Sequence, residues 1–210
     1  MTNNIGAWHS RDIMAFKPRE TTWLSNYSKE HVLYEIDLLR RTASVTLPLN
    51  DFERQVHIES FALHLRTVIC FLYGTRSTSR KLVKPRIKVH DDDVIAEEFV
   101  DGWGGILATV RPEDATVQDL KNRADKELAH LTELRKNPLN PTKPWNSASA
   151  IAALVPILRQ FHDAALKSGQ KRMHPDALAA IKALLDLCDS IEGAAQPPGW
   201  TGETGPAAPI

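Results

Sequence analysis

The stretch that decides the fold is Asp51–Tyr73, DFERQVHIESFALHLRTVICFLY. Apolar residues fall on nearly every side of the helix that it would form, and a helix that is apolar all round belongs at the centre of a core. The same stretch carries Glu59, His64 and Arg66. Such groups need partners, because an unpaired charge away from water is costly. The sequence therefore predicts a central helix with polar chemistry on it.

Length and composition favour a single domain. The chain has 210 residues, enough for a full hydrophobic core, and its 26 basic and 26 acidic residues leave no net charge. A balanced charge provides no overall field toward nucleic acid or an anionic membrane. Cys70 and Cys188 lie in apolar helical patterns and are expected to be free thiols of a reducing compartment. With no signal peptide and no membrane span expected, we predict a cytoplasmic protein without a membrane partner.

The spacing of apolar residues predicts an all-α fold, a bundle of four to five helices with an inserted charged loop. Residues 1–25 have no clean period and are predicted to form an irregular arm with scattered aromatic side chains. The bundle domain is predicted over 26–192, with the inserted loop at 75–114. Residues 193–210, rich in proline and glycine, are predicted to be a disordered tail.

Capping residues and prolines place the boundaries of the predicted helices. The predicted ranges are about 27–43, 51–73, 116–136, 148–167 and 174–190. Ser28 and Ser147 are predicted N-caps of the first and fourth helices, and Asn50 or Asp51 of the second. Pro156 is expected to kink the fourth helix.

The polar residues of the central helix allow two interpretations. On a helical wheel Glu59, Leu63, Arg66 and Cys70 share one stripe, while His64 lies nearly opposite. Glu59 and Arg66 can form a buried electrostatic clasp that links this helix to its neighbours and specifies their register. Alternatively, Arg66 projects into a cleft and binds an anion, since its planar guanidinium suits phosphate. His64 taken alone is typical of a half-buried histidine with a satisfied hydrogen bond.

A second polar stripe is predicted on the third helix. Arg123, Glu127 and His130 follow one another at spacings of four and three residues along the border of its apolar face. Histidine transfers protons near neutral pH, and arginine stabilises the charge of a phosphorane. His130 with Arg123 or Arg66 would supply the parts for metal-free RNA cleavage by the ribose 2′-hydroxyl. The alternative is a solvated border in which Arg123 and Glu127 form an i,i+4 pair.

The predicted loop separates its charges along the chain. The basic run RSTSRKLVKPRIKVH at 76–90 is followed by the acidic run DDDVIAEEFVD at 91–101. The basic residues can contact RNA phosphates, in which case binding falls steeply with salt. The acidic run can instead fold back and neutralise them, which is the interpretation we favour. The three consecutive aspartates do not make a full ligand set, so no metal and no cofactor are predicted.

Four segments resemble uncharacterised bacterial proteins related to the HEPN superfamily. They are YSKEHVLYEIDLL at 27–39, IESFALHLRTVICFLY at 58–73, DDVIAEEFV at 92–100 and KELAHLTELR at 126–135, within a resemblance that covers 27–165. The resemblance implies a helical bundle, often dimeric, of toxin–antitoxin, abortive-infection or CRISPR systems. Many members are metal-independent ribonucleases with an Arg-x(4–6)-His motif. Arg123 to His130 matches that spacing, but Ala124 stands where active members usually have a polar residue.

The resemblance implies two alternative functions. One is a metal-independent endoribonuclease of a defence or toxin–antitoxin system, with His130 transferring protons and Arg123 or Arg66 binding phosphate. The other is a non-catalytic interaction module that binds a protein partner. The predicted supporting polar cluster comprises Glu59, His64 and Glu127. RNA, a protein partner and a second copy of the chain are the expected partners, and a small ligand between the helices is a third possibility without a motif behind it.

Overall fold

The computed structural model describes residues 19–44, 50–74, 76, 87, 89–109, 115–129, 145–168 and 171–193. Throughout these residues the fold is all-α and contains no strand, as predicted. The elements are α1 (Thr21–Tyr27), a π-helical segment (Ser28–Val32), α2 (Leu33–Ala43), α3 (Asp51–Tyr73), a 3₁₀ turn (Ala96–Glu98), α4 (Trp103–Thr109), α5 (Ala115–Ala129), α6 (Ser147–Ala152), α7 (Val155–Lys167) and α8 (Pro175–Gly193). Of these helices, none combines the length and apolarity needed to cross a bilayer.

Helix α3 lies at the centre of the bundle, as its apolar pattern predicts. It packs against α2 on one side and α5 on another, while α8 packs against α2 and α7. Side chains from most of these helices meet in one core. Its fully enclosed members include Leu39, Leu65, Ile69, Leu72, Leu154, Phe161 and Leu184.

Both ends of α3 are set by the residues that the sequence predicts. The Asn50 side chain accepts a hydrogen bond from the Glu53 backbone N–H at 2.9 Å, and the Glu53 carboxylate accepts one from the Asn50 N–H at 3.1 Å. This capping box satisfies backbone donors that the first turn leaves open. At the other end, the Gly74 N–H donates to the Cys70 carbonyl at 3.0 Å, and the chain leaves the helix.

The first helix begins earlier than predicted. The predicted arm over residues 1–25 contains the start of α1 at Thr21, and Leu24 of that helix is buried. Ser28 is not an N-cap, so that prediction is wrong. It lies buried within the continuous helix, where its hydroxyl donates to the Ser25 carbonyl at 2.8 Å and accepts from the His174 backbone N–H at 2.9 Å.

Part of the predicted inserted loop belongs to the core. Within 75–114 the chain forms the 3₁₀ turn and α4, neither of which is a surface excursion. Trp103 is fully buried, donates its indole N–H to the Leu72 carbonyl at 2.7 Å, and packs edge-on against Phe161 at 5.3 Å between ring centroids. This hydrogen bond satisfies a carbonyl in the last turn of α3, so the segment closes the end of the central helix.

In the C-terminal half, the helices are interrupted and capped at residues other than those predicted. The predicted fourth helix is interrupted between α6 and α7, and Pro156 occupies the first turn of α7 instead of a mid-helix kink. The cap of α6 is Asn146, whose side chain accepts from the Ser149 N–H at 3.0 Å, so Ser147 is not the cap. The predicted part of the third helix beyond Ala129, the residues before 19 and the tail after 193 lie outside the described residues.

Candidate functional site

A cavity of about 590 Å³ lies among α2, α3, α5 and the segment around residues 87–95. Its volume falls within the range typical of small-molecule sites. The residues that line it are Tyr27, His31, Val32, Glu35, Ile36, Arg66, Thr67, Val68, Cys70, Phe71, Ile87, Val89, His90, Asp92, Asp93, Val94, Ile95 and Lys121. Helix α3 therefore contributes the floor, and four other parts of the chain contribute the walls.

One wall begins in the π-helical segment. Short π-helical turns are uncommon and occur frequently at functional sites. Here the segment places His31 against the Tyr27 ring at 4.5 Å between centroids, and Trp23 stacks on Tyr27 from the preceding turn at 5.1 Å. Burial raises the pKa of the Tyr27 phenol, although the nearby Arg19 guanidinium opposes the shift. Tyr27 and His31 thus line the cavity, and Trp23 packs on Tyr27 without lining it.

The same wall carries a glutamate that is hydrogen-bonded to a buried histidine. Glu35 of α2 lines the cavity, and its Oε2 lies 2.7 Å from Nδ1 of His64 on α3. His64 is only 5% exposed, and Tyr34 packs edge-on against its ring. Since a carboxylate only accepts hydrogen bonds, Nδ1 of His64 is the donor in this pair. His64 is a buried histidine with a satisfied hydrogen bond, and it orients Glu35.

The opposite side of the cavity carries two cations around one carboxylate. Nε of Arg66 donates to Oδ1 of Asp125 at 2.5 Å, and Nζ of Lys121 donates to Oδ2 of the same residue at 2.5 Å. Burial raises the pKa of Asp125, but the hydrogen bonds from Lys121 and Arg66 outweigh it and the pKa is lowered. The hydrogen bond to Asp125 raises the pKa of Arg66. Two positive charges and one negative charge leave an excess positive charge here.

The acidic segment forms the third wall and is fastened by two arginines. Glu98, which is buried, accepts from Arg19 Nη1 at 2.6 and 2.5 Å and lies 3.4 Å from Arg76 Nη2. Both guanidiniums also donate to the Asp93 carbonyl, at 3.1 Å and 2.5 Å, and Arg76 donates to the His90 carbonyl at 2.9 Å. The acidic run therefore folds back onto Arg76, the first residue of the basic run. The other basic residues of that run, Arg80, Lys81, Lys84, Arg86 and Lys88, lie outside the described residues.

The structure places the predicted site residues in different surroundings. Arg66 lines the cavity, whereas Arg123 lies over the Trp145 ring at 4.2 Å and does not. Glu59 is exposed, so it is not part of a buried clasp, whereas Arg66 bonds to Asp125 of α5 and in this way links α3 to a neighbouring helix. The side chain of Glu127 and all of His130 lie outside the described residues.

Sequence reasoning missed Lys121 and Asp125, which accompany Arg66, and Glu35, which pairs with His64. The i,i+4 spacing of Lys121 and Asp125 was a visible signal for a pair on α5. Glu35 offered no such signal, because its partner His64 is 29 positions away and only packing brings them together. Cys70 is half-buried and Cys188 buried, both as free thiols, as predicted, and burial raises the pKa of the Cys70 thiol.

In comparisons with known proteins, no family model, no curated protein and no solved structure matches this chain. Among the described residues, no three His, Cys, Asp or Glu side chains are grouped so as to hold a metal ion. The arrangement can hold a ligand between charged groups of opposite sign in a cavity whose lining is partly apolar. This is the geometry of a binding site.

Proposed function

We propose that this chain is a HEPN-like helical bundle that acts as a non-catalytic interaction module and associates with a second copy through α3. The observation that carries the proposal is an exposed stripe on the first half of α3 that is apolar except for Glu59. Phe52 is 77% exposed, and Val56 and Leu63 are each 49% exposed. At about 100° per residue these three side chains point within about 40° of one another. The HEPN-like assignment itself rests on the four resembling segments.

The stripe is partly covered by other parts of the chain in the second half of α3 but exposed in the first half. Continued along the helix, the same stripe reaches Arg66 and Cys70, which line the cavity and contact neighbouring parts of the chain. Clustered exposed apolar side chains, unlike scattered ones, are typical of protein–protein interfaces. Burying one such side chain stabilises an association by about 1.5–3 kcal/mol. In a self-complementary contact about a two-fold axis, both copies would bury these side chains.

The two arginines support binding over cleavage. Arg66 is engaged by Asp125, and Arg123 stacks on Trp145. Nε of Arg66 is held by Asp125, so the guanidinium can bind an anion through Nη1 and Nη2, but its charge is offset in part by that carboxylate. An arginine that stabilises a developing charge in catalysis works best when it is directed at the reacting group without such an offset.

The test is the oligomeric state of the purified chain by sedimentation equilibrium. We expect a dimer whose dissociation constant rises at least about tenfold in Leu63→Glu, the equivalent of about 1.4 kcal/mol. Leu166→Glu is the matched control, because Leu166 is 58% exposed but belongs to a different helix, α7. A wild-type chain that stays monomeric at every concentration, or equal effects of the two variants, would reject the proposal.

A metal-independent endoribonuclease, as in toxin–antitoxin systems, is the second candidate, and one observation favours it. The Arg66 side chain is 42% exposed and lines the cavity beside Lys121, so part of its guanidinium is accessible from the cavity. If His130 approaches the same opening, the two residues would supply a phosphate ligand and a proton-transfer group.

Cleavage of a mixed single-stranded RNA and tRNA substrate in excess EDTA tests this candidate. A ribonuclease would leave 2′,3′-cyclic phosphate ends, and both His130→Ala and Arg66→Gln would abolish cleavage. Lys121→Gln controls for loss of a hydrogen bond to Asp125, because it leaves Arg66 in place. Cleavage that persists in His130→Ala would be assigned to a contaminating nuclease.

A further inference from the structure

The cavity presents opposite charges on its two sides. Glu35 stands on the α2 side, and Arg66 and Lys121 stand on the side where α3 meets α5. Asp125 bonds to both cations, but its single negative charge offsets only one of their two positive charges. The α2 side therefore carries a negative group and the side where α3 meets α5 an excess of positive charge, while Asp92 and Asp93 line the cavity from the acidic segment.

Each charged group keeps hydrogen-bonding capacity toward the cavity. Within the described part of the chain, Glu35 is bonded through Oε2 to His64, which leaves Oε1 to accept another donor. Within the same residues, Arg66 donates through Nε to Asp125, which leaves the N–H groups of Nη1 and Nη2 to donate. A guanidinium edge of this kind suits a carboxylate, because two parallel N–H donors match its two oxygens.

The cavity also has an apolar part. Its apolar lining side chains are Val32, Ile36, Val68, Phe71, Val94 and Ile95, and its polar lining includes Asp92 and Asp93 of the acidic segment. Val68 and Ile95 are each only 2% exposed, so they are held in place by the surrounding core. Small-molecule sites combine such a lining with a few polar groups that set the orientation of the ligand.

From this arrangement we infer that the cavity binds a zwitterionic small molecule with an apolar body, of the class of an apolar amino acid or a dipeptide. Its carboxylate contacts Arg66 and Lys121, its ammonium contacts Glu35, and its side chain packs on Val68 and Phe71 of α3. His64 acts as a positioning residue, because it holds Glu35 without lining the cavity. The inference goes beyond the interaction module, since it uses neither the exposed stripe nor the oligomeric state.

Ligand-observed NMR on the full chain tests the inference with defined probes. The zwitterions are L-phenylalanine and L-leucyl-L-phenylalanine, and the controls are 3-phenylpropionate and 2-phenylethylamine, which keep the ring and one charge each. We expect at least one zwitterion to bind about tenfold or more tightly than either control, because each lost charge forfeits a charge-assisted hydrogen bond. If neither zwitterion binds, or if the controls bind as well, the inference is overturned.

Two variants assign the charges to the residues. In Arg66→Gln we expect L-phenylalanine to bind no better than 2-phenylethylamine, and in Glu35→Gln no better than 3-phenylpropionate. Arg159→Gln is the control, because Arg159 pairs with Asp189 at 2.9 Å outside the cavity. Unchanged discrimination in both cavity variants would place the ligand elsewhere and overturn the inference.

A third variant covers the case in which removing a charge unfolds the chain. Thr67 lines the cavity, and its hydroxyl bonds only locally, to the Leu63 carbonyl at 3.1 Å. Thr67→Phe fills part of the cavity and leaves both charged groups intact. We expect it to fold, as judged by circular dichroism, and to lose zwitterion binding about tenfold or more. A folded Thr67→Phe that binds as wild type does would overturn the inference.

Discussion

Gly74→Ala should destabilise the chain, because the end of α3 has no room for a β-carbon. An ideal Cβ at this position would lie 2.7 Å from Cγ2 of Ile95 and 2.8 Å from the carbonyl oxygen of Cys70. Non-bonded carbon atoms normally approach to about 3.5–4.0 Å, so the overlap with Ile95 is on the order of 1 Å. The Cys70 carbonyl belongs to the backbone of α3 and Ile95 is buried, so neither contact relaxes cheaply.

The expected loss is about 1–3 kcal/mol of unfolding free energy, the usual cost of forcing extra volume into a packed site. For a chain of this size each kcal/mol lowers Tm by about 2–4 °C. Urea titration monitored by circular dichroism at 222 nm would measure the free energy, and a thermal scan the Tm.

Gly105→Ala is the matched control. Nothing lies within 4 Å of a Cβ built at Gly105, which sits inside α4. Alanine there should stabilise the chain by about 0.5–1 kcal/mol, because glycine loses more backbone entropy on folding. The reasoning is refuted if Gly74→Ala is as stable as wild type, since the 95 segment would then not press against the end of α3.

Three further changes test contacts that surround the cavity. Trp103→Phe should cost about 1–3 kcal/mol in urea titration, because it leaves the buried Leu72 carbonyl without its indole donor; an unchanged midpoint would contradict this. Glu98→Gln should cost about 3 kcal/mol, because two arginines lose their shared counter-charge, and a loss below about 1 kcal/mol would show that the carbonyl acceptors suffice. The pKa of Asp125 is lowered, so its stabilising contribution is full above its usual value of 3.8 and is lost as pH falls through the folded-state pKa. The stability difference between wild type and Asp125→Asn should therefore stay constant near neutral pH and shrink below pH 3.8; a difference that grows in acid would reverse the sign of the argument.

The helices that were predicted well are those with local signals. Asn50 and Glu53 satisfy each other within one turn, and Gly74 ends the helix, so α3 needs no distant contact to be bounded. The start of α1 was missed because Ser28 is a good N-cap in isolation. Its hydroxyl is instead used by the backbone of His174, which is 146 positions away.

The candidate site was predictable only in part for the same reason. The stripe of α3 that contains Arg66 and Cys70 follows from helical periodicity, and both residues do line the cavity. A buried clasp from Glu59 and Arg66 to neighbouring helices was predicted without naming the partners; Asp125 of α5 pairs with Arg66, and Glu59 is exposed. Periodicity places a side chain on a face without indicating which helix will cover that face.

The sequence alone determined the all-α class, the central position of α3 and both of its ends, because periodicity and capping act within one or two helical turns. The tertiary structure decided the pairings of Glu35 with His64 and of Arg66 with Asp125, and the packing of Trp103 against the end of α3. These contacts join residues 29, 59 and 31 positions apart. Their free energy depends on burial and on the exact approach of two elements, which no local pattern of residues encodes.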